Sequence, residues 1–259
     1  MPVNGACVWA MVTPCSGPME SPNFAETDMA GRGPAPDFRH VQSWIFDLDN
    51  TLYRADSGIF AQIEARMTEY VMAFLRLGRD AAYARQKELY RRYGTTLNGL
   101  MKEHCAEPEA YLRYVHDIDL SSLMPDPALA QAIARLPGRR FVFTNGCRDH
   151  AARILDRLDM TGLFDEVWDI RSMDFAPKPE PRAYASVVEA SGVSAASAAM
   201  FDDLARNLVP ARAMGMTTVW LRTDAPWGKH GPLMDVASSD IDHETDNLTQ
   251  FLHSIRIEP

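Results

Sequence analysis

From Ser43 onward the chain alternates short, nearly unbroken apolar runs with amphipathic stretches, and this alternation leaves few folds open. The runs are Ser43 to Leu48 (SWIFDL), Arg140 to Thr144 (RFVFT), Phe164 to Ile170, Ala198 to Phe201 and Thr217 to Leu221. Runs of this length without polar alternation suit strands covered on both faces, as in parallel sheets. Between them, Ala151, Ile154, Leu155 and Leu158 recur at helical spacing before Gly162. Pro181 reads as a first-turn proline, followed by Tyr184, Val187 and Val188 up to Gly192. Leu204, Leu208 and Ala211 outline a helix closed by Gly215, and Leu248, Phe251, Leu252 and Ile255 a last one. The pattern predicts an α/β fold: a doubly wound, mainly parallel Rossmann-like sheet.

One block breaks the alternation. From Asp56 to Leu123 the apolar residues Ile59, Ile63, Met67, Tyr70, Val71, Phe74 and Leu75 keep helical spacing, more helix-like sequence follows through Tyr90, and no strand is evident. The expected organisation is therefore an α/β core of residues 41–54 and 124–259 with an all-helical domain inserted at 55–123. Residues 1–40 are rich in Pro and Gly and are expected to form a disordered tail. Pro2, Pro14 and Pro18 interrupt this stretch and no Lys or Arg precedes Arg32, unlike a secretory signal. Met11, Met19 and Met29 leave later translation starts open.

The formal net charge of −9 disfavours nucleic-acid polymers and anionic membranes as partners. A small anionic ligand remains compatible, because a bound metal and a few cations invert the field locally. No apolar run reaches the roughly 18 residues of a membrane span. The four cysteines, Cys7, Cys15, Cys105 and Cys147, lack zinc-knuckle spacing and read as reduced thiols of a cytoplasmic protein.

In parallel α/β sheets ligands bind beyond the carboxyl ends of the strands. There the sequence puts Asp47 and Asp49, then Thr144-Asn145-Gly146, then Asp202 and Asp203, with Lys178 in a proline-flanked loop. Asp47 and Asp49, two apart on an extended chain, project to the same side. Their repulsion is costly unless a cation or a raised pKa relieves it. A helix cap and a solvated acid would be the plain reading of such a pair, but a hydrophobic strand running straight into D-x-D argues against it. One of Asp202 and Asp203 can cap the next helix while the other binds metal. An all-oxygen carboxylate cluster suits Mg2+ rather than zinc. Thr144-Asn145-Gly146 joins strand to helix, where free backbone N–H groups make an anion site.

Taken together, DLDNTL (Asp47 to Leu52), the TNG triplet, Lys178 in PKPEP, and FDD (Phe201 to Asp203) resemble, in order and spacing, the four motifs of the haloacid dehalogenase-like superfamily over about Ser43 to Leu221. The helical insert resembles the helical cap of that superfamily's first subclass. The resemblance implies a phosphoric monoester hydrolase in which Asp47 attacks phosphorus and forms an aspartyl-phosphate. Asp49 would act as acid and then base, with a pKa raised by its surroundings and the bound substrate. Thr144 and the Asn145 N–H would hold phosphoryl oxygens, and Lys178 would link Asp47 to the phosphate. Mg2+ would bind Asp47, the Asp49 carbonyl and Asp203, with Asp202 direct or through water. The dehalogenases of the superfamily lack the acid two residues after the nucleophile, here Asp49, so phosphotransfer is favoured; a phosphomutase would keep the same motifs.

The insert sequence LYRRYGTTLNGL (Leu89 to Leu100) and the continuation DLDNTLY with Tyr53 resemble the pyrimidine 5′-nucleotidase branch. That resemblance implies a nucleoside 5′-monophosphate substrate met by Tyr53, Tyr90, Arg92 and Tyr93. The alternatives are a small-metabolite phosphatase, for phosphoglycolate or a sugar phosphate, and a catalytically weak nucleotide-binding module. The expected partner is a small phosphorylated metabolite, and the expected state a monomer or homodimer.

Overall fold

The structure, a computed structural model, describes Met1 and residues 35–223, 236 and 240–257. Most of the expected tail, and with it Cys7 and Cys15, lies outside the described residues. The expected core boundary at residue 41 falls a few residues late. Phe38 is fully buried and stacks on Trp44 with ring centroids 5.9 Å apart. Asp37 bridges to Arg256, tying this entry segment to the end of the chain.

Six strands form one sheet: β1 (Ser43–Phe46), β2 (Arg139–Phe143), β3 (Glu166–Trp168), β4 (Ala198–Asp202), β5 (Thr217–Leu221) and β6 (His243–Thr245), in the order β3-β2-β1-β4-β5-β6. Every pairing is parallel. Alternate side chains divide between the faces. Trp44, Phe46, Val142 and Phe201 enter one core, and Ile45, Phe141, Phe143 and Met200 the other. Burial on both faces is why the strand runs carry no polar alternation. The exception is β6, an edge strand of sequence His-Glu-Thr with no fully buried residue. Its short, polar sequence was not expected to be a strand.

The core helices are α5 (Pro127–Ala134), α6 (Arg148–Arg157), α7 (Pro181–Ser191), α8 (Ala205–Ala213) and α9 (Leu248–Ser254). Pro181 opens α7 and Gly192, at φ 67°, closes it, as a first-turn proline and a left-handed cap should. The Asn247 side chain accepts from the Gln250 N–H at 2.9 Å and starts α9.

Between β1 and β2, ahead of α5, stand α1 (Ile59–Leu75), α2 (Arg79–Tyr93), α3 (Thr96–His104) and α4 (Pro108–Val115), with no strand among the described residues. Helix α1 packs on α2 and α4, and α2 on α3. Its inward face carries Ile59, Ile63 and Val71, the spacing read from the sequence. The insert is fastened to the sheet side at several points. The Arg171 guanidinium makes two 2.7 Å bonds to Glu109. Asn98 Nδ2 donates to Glu180 at 3.0 Å. Arg153 donates to the carbonyls of His116 and Ile118, both at 2.8 Å, where the chain leaves the insert. No described helix is long and apolar enough to cross a membrane. Cys105 and Cys147 are free thiols.

Candidate active site

The chain reverses its direction of winding at β1, which has β2 on one side and β4 on the other. The ends of these three strands therefore face one crevice. Asp47 directly follows β1, and its N–H still donates to the Phe201 carbonyl at 2.8 Å, so sheet geometry fixes its backbone. Asn50, in the left-handed region at φ 65°, then turns the chain away.

Lys178 is the hub. Its side chain is 1% exposed, and Nζ donates to Asp47 Oδ1, Asp202 Oδ2 and the Phe143 carbonyl, each at 2.7 Å. Three acceptors saturate an ammonium group. Burial alone would lower the lysine's pKa, but Asp202 and Asp47 reverse this and hold it above its ordinary value. Asp202 is equally occupied. It also accepts from the Leu204 N–H at 2.9 Å and from Asn207 Nδ2 at 2.9 and 3.1 Å. Asp203 differs, because its buried Oδ2 has no hydrogen-bond partner. Burial, then the charges of Asp47 and Asp202, push the Asp203 carboxyl well above its ordinary pKa. Burial also raises Asp47, with Lys178 pulling against it and Asp202 and Asp49 adding to the rise. Three buried carboxylates, Asp47, Asp202 and Asp203, thus gather beside the single ammonium of Lys178.

At the end of β2, the Gly146 N–H donates to Thr144 Oγ1 at 2.9 Å. This uses the hydroxyl as acceptor and leaves its proton to donate outward. The Asn145 side chain is engaged within the protein. It accepts from the Lys178 N–H at 2.8 Å and donates to the Lys178 carbonyl at 3.1 Å, clamping two site loops together. Its backbone N–H is the part that suits an anion.

Asp49 is held by residues not assigned to it from the sequence. Tyr53 Oη donates to Asp49 Oδ1 at 2.6 Å, and His150 Nε2 meets the same oxygen at 2.9 Å. Tyr53 is therefore a partner of Asp49, and not among the residues lining the cavity as expected. Burial would raise the Asp49 pKa, but His150 and Tyr53 outweigh it and the net direction is downward. The raised value expected for an acid is thus not found, because two donors stabilise the carboxylate. His150 lies on α6 beside Ala151, on the buried face. The only sequence signal for it was a histidine within an apolar helical stripe just after the TNG triplet.

Asp47, Asp49, Thr144, Asn145, Lys178 and Asp203 all line one cavity of about 160 Å³ whose opposite wall comes from the insert. That wall is largely apolar, with Phe60, Ile63, Met67 and Leu112, and Tyr90 joins it. Arg206, at the start of α8, lies with its guanidinium carbon 4.8 Å from the Tyr90 ring centroid and bonds the Tyr90 hydroxyl. Burial lowers the Arg206 pKa to about 10. Arg92 and Tyr93 are corrections to the sequence reading. Both engage Glu103 of α3, at 3.1 and 2.7 Å, and neither lines the cavity. They stand in the last turn of α2, rotated away from the side that Tyr90 presents.

A family model for haloacid dehalogenase-like hydrolases matches residues 43–215. The chain belongs to this family. Among curated proteins, Phosphate metabolism protein 8 of Saccharomyces cerevisiae is 28% identical over 191 residues, covering 67% of this chain and 59% of that protein. Phosphatase MT3486 of Mycobacterium tuberculosis is 40% identical over 95 residues, covering 36% of this chain and 43% of that protein. The chain thus spans only about half the length of the curated relatives it matches. Among solved structures, a phosphatase of the same superfamily from Thermococcus onnurineus superimposes with a TM-score of 0.54 at 19% identity, covering 83% of this chain and all of that one. The magnesium-bound hydrolase YfnB of Bacillus subtilis gives 0.51 at 16% identity, covering 82% of this chain and 97% of that chain. These likenesses establish the shared fold.

Hydrolases of this family generally use Mg2+, and the residues here suit such an ion. One oxygen from each of Asp47, Asp202 and Asp203 lies within 4.8 Å of the others. All three are buried, the donors are hard oxygens, and Asp203 Oδ2 is an orphan that a cation would satisfy. With Asp202 committed to Lys178, Leu204 and Asn207, the carboxylates with capacity to spare are Asp47 and Asp203.

Proposed function

We propose that the protein is a Mg2+-dependent phosphate monoester hydrolase acting through an aspartyl-phosphate on Asp47, with a pyrimidine-type nucleoside 5′-monophosphate as substrate. The reading is carried by the convergence of Asp47, Asp49, Thr144, Lys178 and Asp203 on the floor of one cavity. In this scheme Lys178 fixes the attacking carboxylate through Oδ1. The Asp47–phosphorus bond forms as the ester P–O bond breaks, and Asp49 gives its proton to the leaving oxygen. Asp49 then takes a proton from the water that attacks phosphorus, releasing phosphate and freeing Asp47. The Thr144 hydroxyl and the Asn145 N–H hold the equatorial oxygens. A Mg2+ held by Asp47, the Asp49 carbonyl and Asp203 would offset the charge of the transferring group. Asp202 keeps Lys178 in place. The substrate's negative charge offsets the downward pull on Asp49 and favours its protonated form.

The insert, in this reading, is the cap that covers the substrate. Its apolar wall and the Tyr90–Arg206 pair support a leaving group with a flat, partly polar ring. The names of the two curated relatives support phosphate chemistry. A substrate panel tests the proposal: phosphate release from UMP and CMP, phosphoglycolate and sugar phosphates, with and without Mg2+. The expected result is Mg2+-dependent release, fastest from UMP or CMP. Faster release from phosphoglycolate or a sugar phosphate would replace the nucleotide assignment, and nucleotide binding without turnover would replace the enzyme.

A further inference from the structure

Asp49 projects from a turn, not a strand, and its carboxyl would rotate freely unless something holds it. Two donors, Tyr53 Oη at 2.6 Å and His150 Nε2 at 2.9 Å, converge on the same oxygen, Oδ1. A carboxylate only accepts, so the imidazole donates through Nε2–H. This leaves Oδ2 as the oxygen that can carry a transferable proton. It faces Gly146, 3.7 Å from where a Cβ on that residue would stand, on the side of the phosphoryl-binding triplet.

The His150 ring is itself fixed. Its side chain is fully buried and lies against His116, with centroids 4.3 Å apart and planes at 11°. His116 is the residue that ends α4, so it comes from the insert, and its Nδ1 is 3.2 Å from Cys147 Sγ on the core side. His116 also lines the cavity. A core imidazole bonded to Asp49 is thus backed by an imidazole the insert supplies.

We propose that His150 is a positioning residue. By donating to Asp49 Oδ1, with His116 stacked behind it, it turns Oδ2 towards the ester oxygen that departs. The inference rests on the phosphatase reading above. The step it serves is transfer of the Oδ2 proton to the leaving oxygen as the P–O bond breaks. That help matters for an alkyl leaving group, which departs poorly as an anion, and hardly at all for p-nitrophenolate.

The test compares His150→Leu, which fills the space without a donor, and His150→Gln, whose amide nitrogen can reach the position of Nε2. Each is assayed on an alkyl phosphate, a nucleoside 5′-monophosphate, and on p-nitrophenyl phosphate, with Mg2+ present. The parameter is kcat/KM, which reports steps up to departure of the leaving group. For His150→Leu, kcat/KM on the alkyl ester should fall about 100-fold, mainly through kcat, while the aryl ester is little affected. His150→Gln should recover most of the loss. Equal losses on both esters, or a Gln variant no better than Leu, would overturn the proposal and leave His150 a packing residue. Wild-type protein inert on both esters would overturn the phosphatase reading and this inference with it.

Discussion

Lys178 Nζ and Asp47 Oδ1 stand 2.7 Å apart at the centre of the sheet's carboxyl edge, with the lysine almost wholly removed from solvent. The ammonium also serves Asp202 at 2.7 Å, so one positive charge offsets two buried negative ones. Removing one member of a buried charge group leaves the others uncompensated, at a cost of about 3–5 kcal/mol. Lys178→Met should therefore lower both stability and activity. Urea unfolding should give a loss in that range, and phosphate release should fall to background. Stability unchanged by the substitution would mean that the two carboxylates take up protons in its absence.

Asp202 and Asp203 are adjacent in sequence but differ in their partners, and the difference separates two roles. Asp203 has an unpartnered buried oxygen, whereas both Asp202 oxygens are bonded. A cation that binds only the folded state stabilises it, by about 2.7 kcal/mol at a hundred times its Kd. Mg2+ should accordingly raise the melting temperature of the wild type, and chelation should reverse the rise and abolish turnover. Asp203→Asn should fold but lose the Mg2+-dependent rise. Asp202→Asn should melt earlier with or without Mg2+, because Lys178 loses a neutralising charge and one acceptor oxygen is replaced by an amide nitrogen facing buried donors. Differential scanning fluorimetry across a Mg2+ titration reads all three.

Strand-end chemistry was legible in the sequence because it depends only on where a strand stops. Once SWIF and AAMF are recognised as buried strands, Asp47, Asp49, Asp202 and Asp203 must fall just beyond their carboxyl ends. The same logic could not assign His150 to Asp49, since that contact depends on how far α6 is rotated about its axis relative to β1. Nor could it separate Tyr90 from Tyr93, three residues along α2, one facing the cavity and the other facing Glu103. Strand β3 was expected through Ile170 but stops at Trp168. Asp169 there leaves the sheet to accept from the Arg148 N–H at 2.9 Å and the Ser172 N–H at 3.1 Å. Strand β6 has no apolar signal at all, because an edge strand of three residues is specified by its neighbour β5 and not by its own composition.

Asp169 also gives a pH dependence whose sign can be worked out. Burial would raise its pKa, but the N–H groups of Arg148 and Ser172, the Ser172 hydroxyl and Arg171 together bring it below its ordinary value of 3.8. A carboxylate depressed in the folded state contributes stability that is fully present above its unfolded value. That stability is lost as the pH falls through the lower folded value. Asp169→Asn should thus cost about 1.5–3 kcal/mol at neutral pH, the range for hydrogen bonds to a charged acceptor. The gap to wild type should narrow below pH 3.8. Urea midpoints at pH 7 and at a pH well below 3.8 measure both; a gap that stays constant between them would show that the charge of Asp169 contributes nothing. Because Asp169 receives the first N–H of α6, the helix that carries His150, the substitution should also reduce kcat modestly.

Two glycines separate stability from activity. Gly138 precedes β2 at φ +80°, and a Cβ there would lie 2.2 Å from the Gln42 carbonyl oxygen, the same oxygen that accepts from the Arg139 N–H and sets the β1–β2 register. Backbone cannot retreat as a side-chain tip can, so Gly138→Ala should destabilise the protein by about 2 kcal/mol or more. Gly146 lies outside that strained region. A Cβ added there meets Thr144 Oγ1 at 3.2 Å, His150 Cδ2 at 3.4 Å and Asp49 Oδ2 at 3.7 Å. Those are the groups proposed to hold the phosphoryl oxygen and deliver the proton. A shift of a few tenths of an ångström can relieve the crowding, so Gly146→Ala should change stability by less than about 1 kcal/mol. The same shift displaces groups that must meet the substrate within a narrow range, so kcat/KM should fall about 10- to 100-fold. A Gly146→Ala protein as active as wild type would mean that the triplet does not approach the reacting phosphate, and would remove Thr144 from the mechanism.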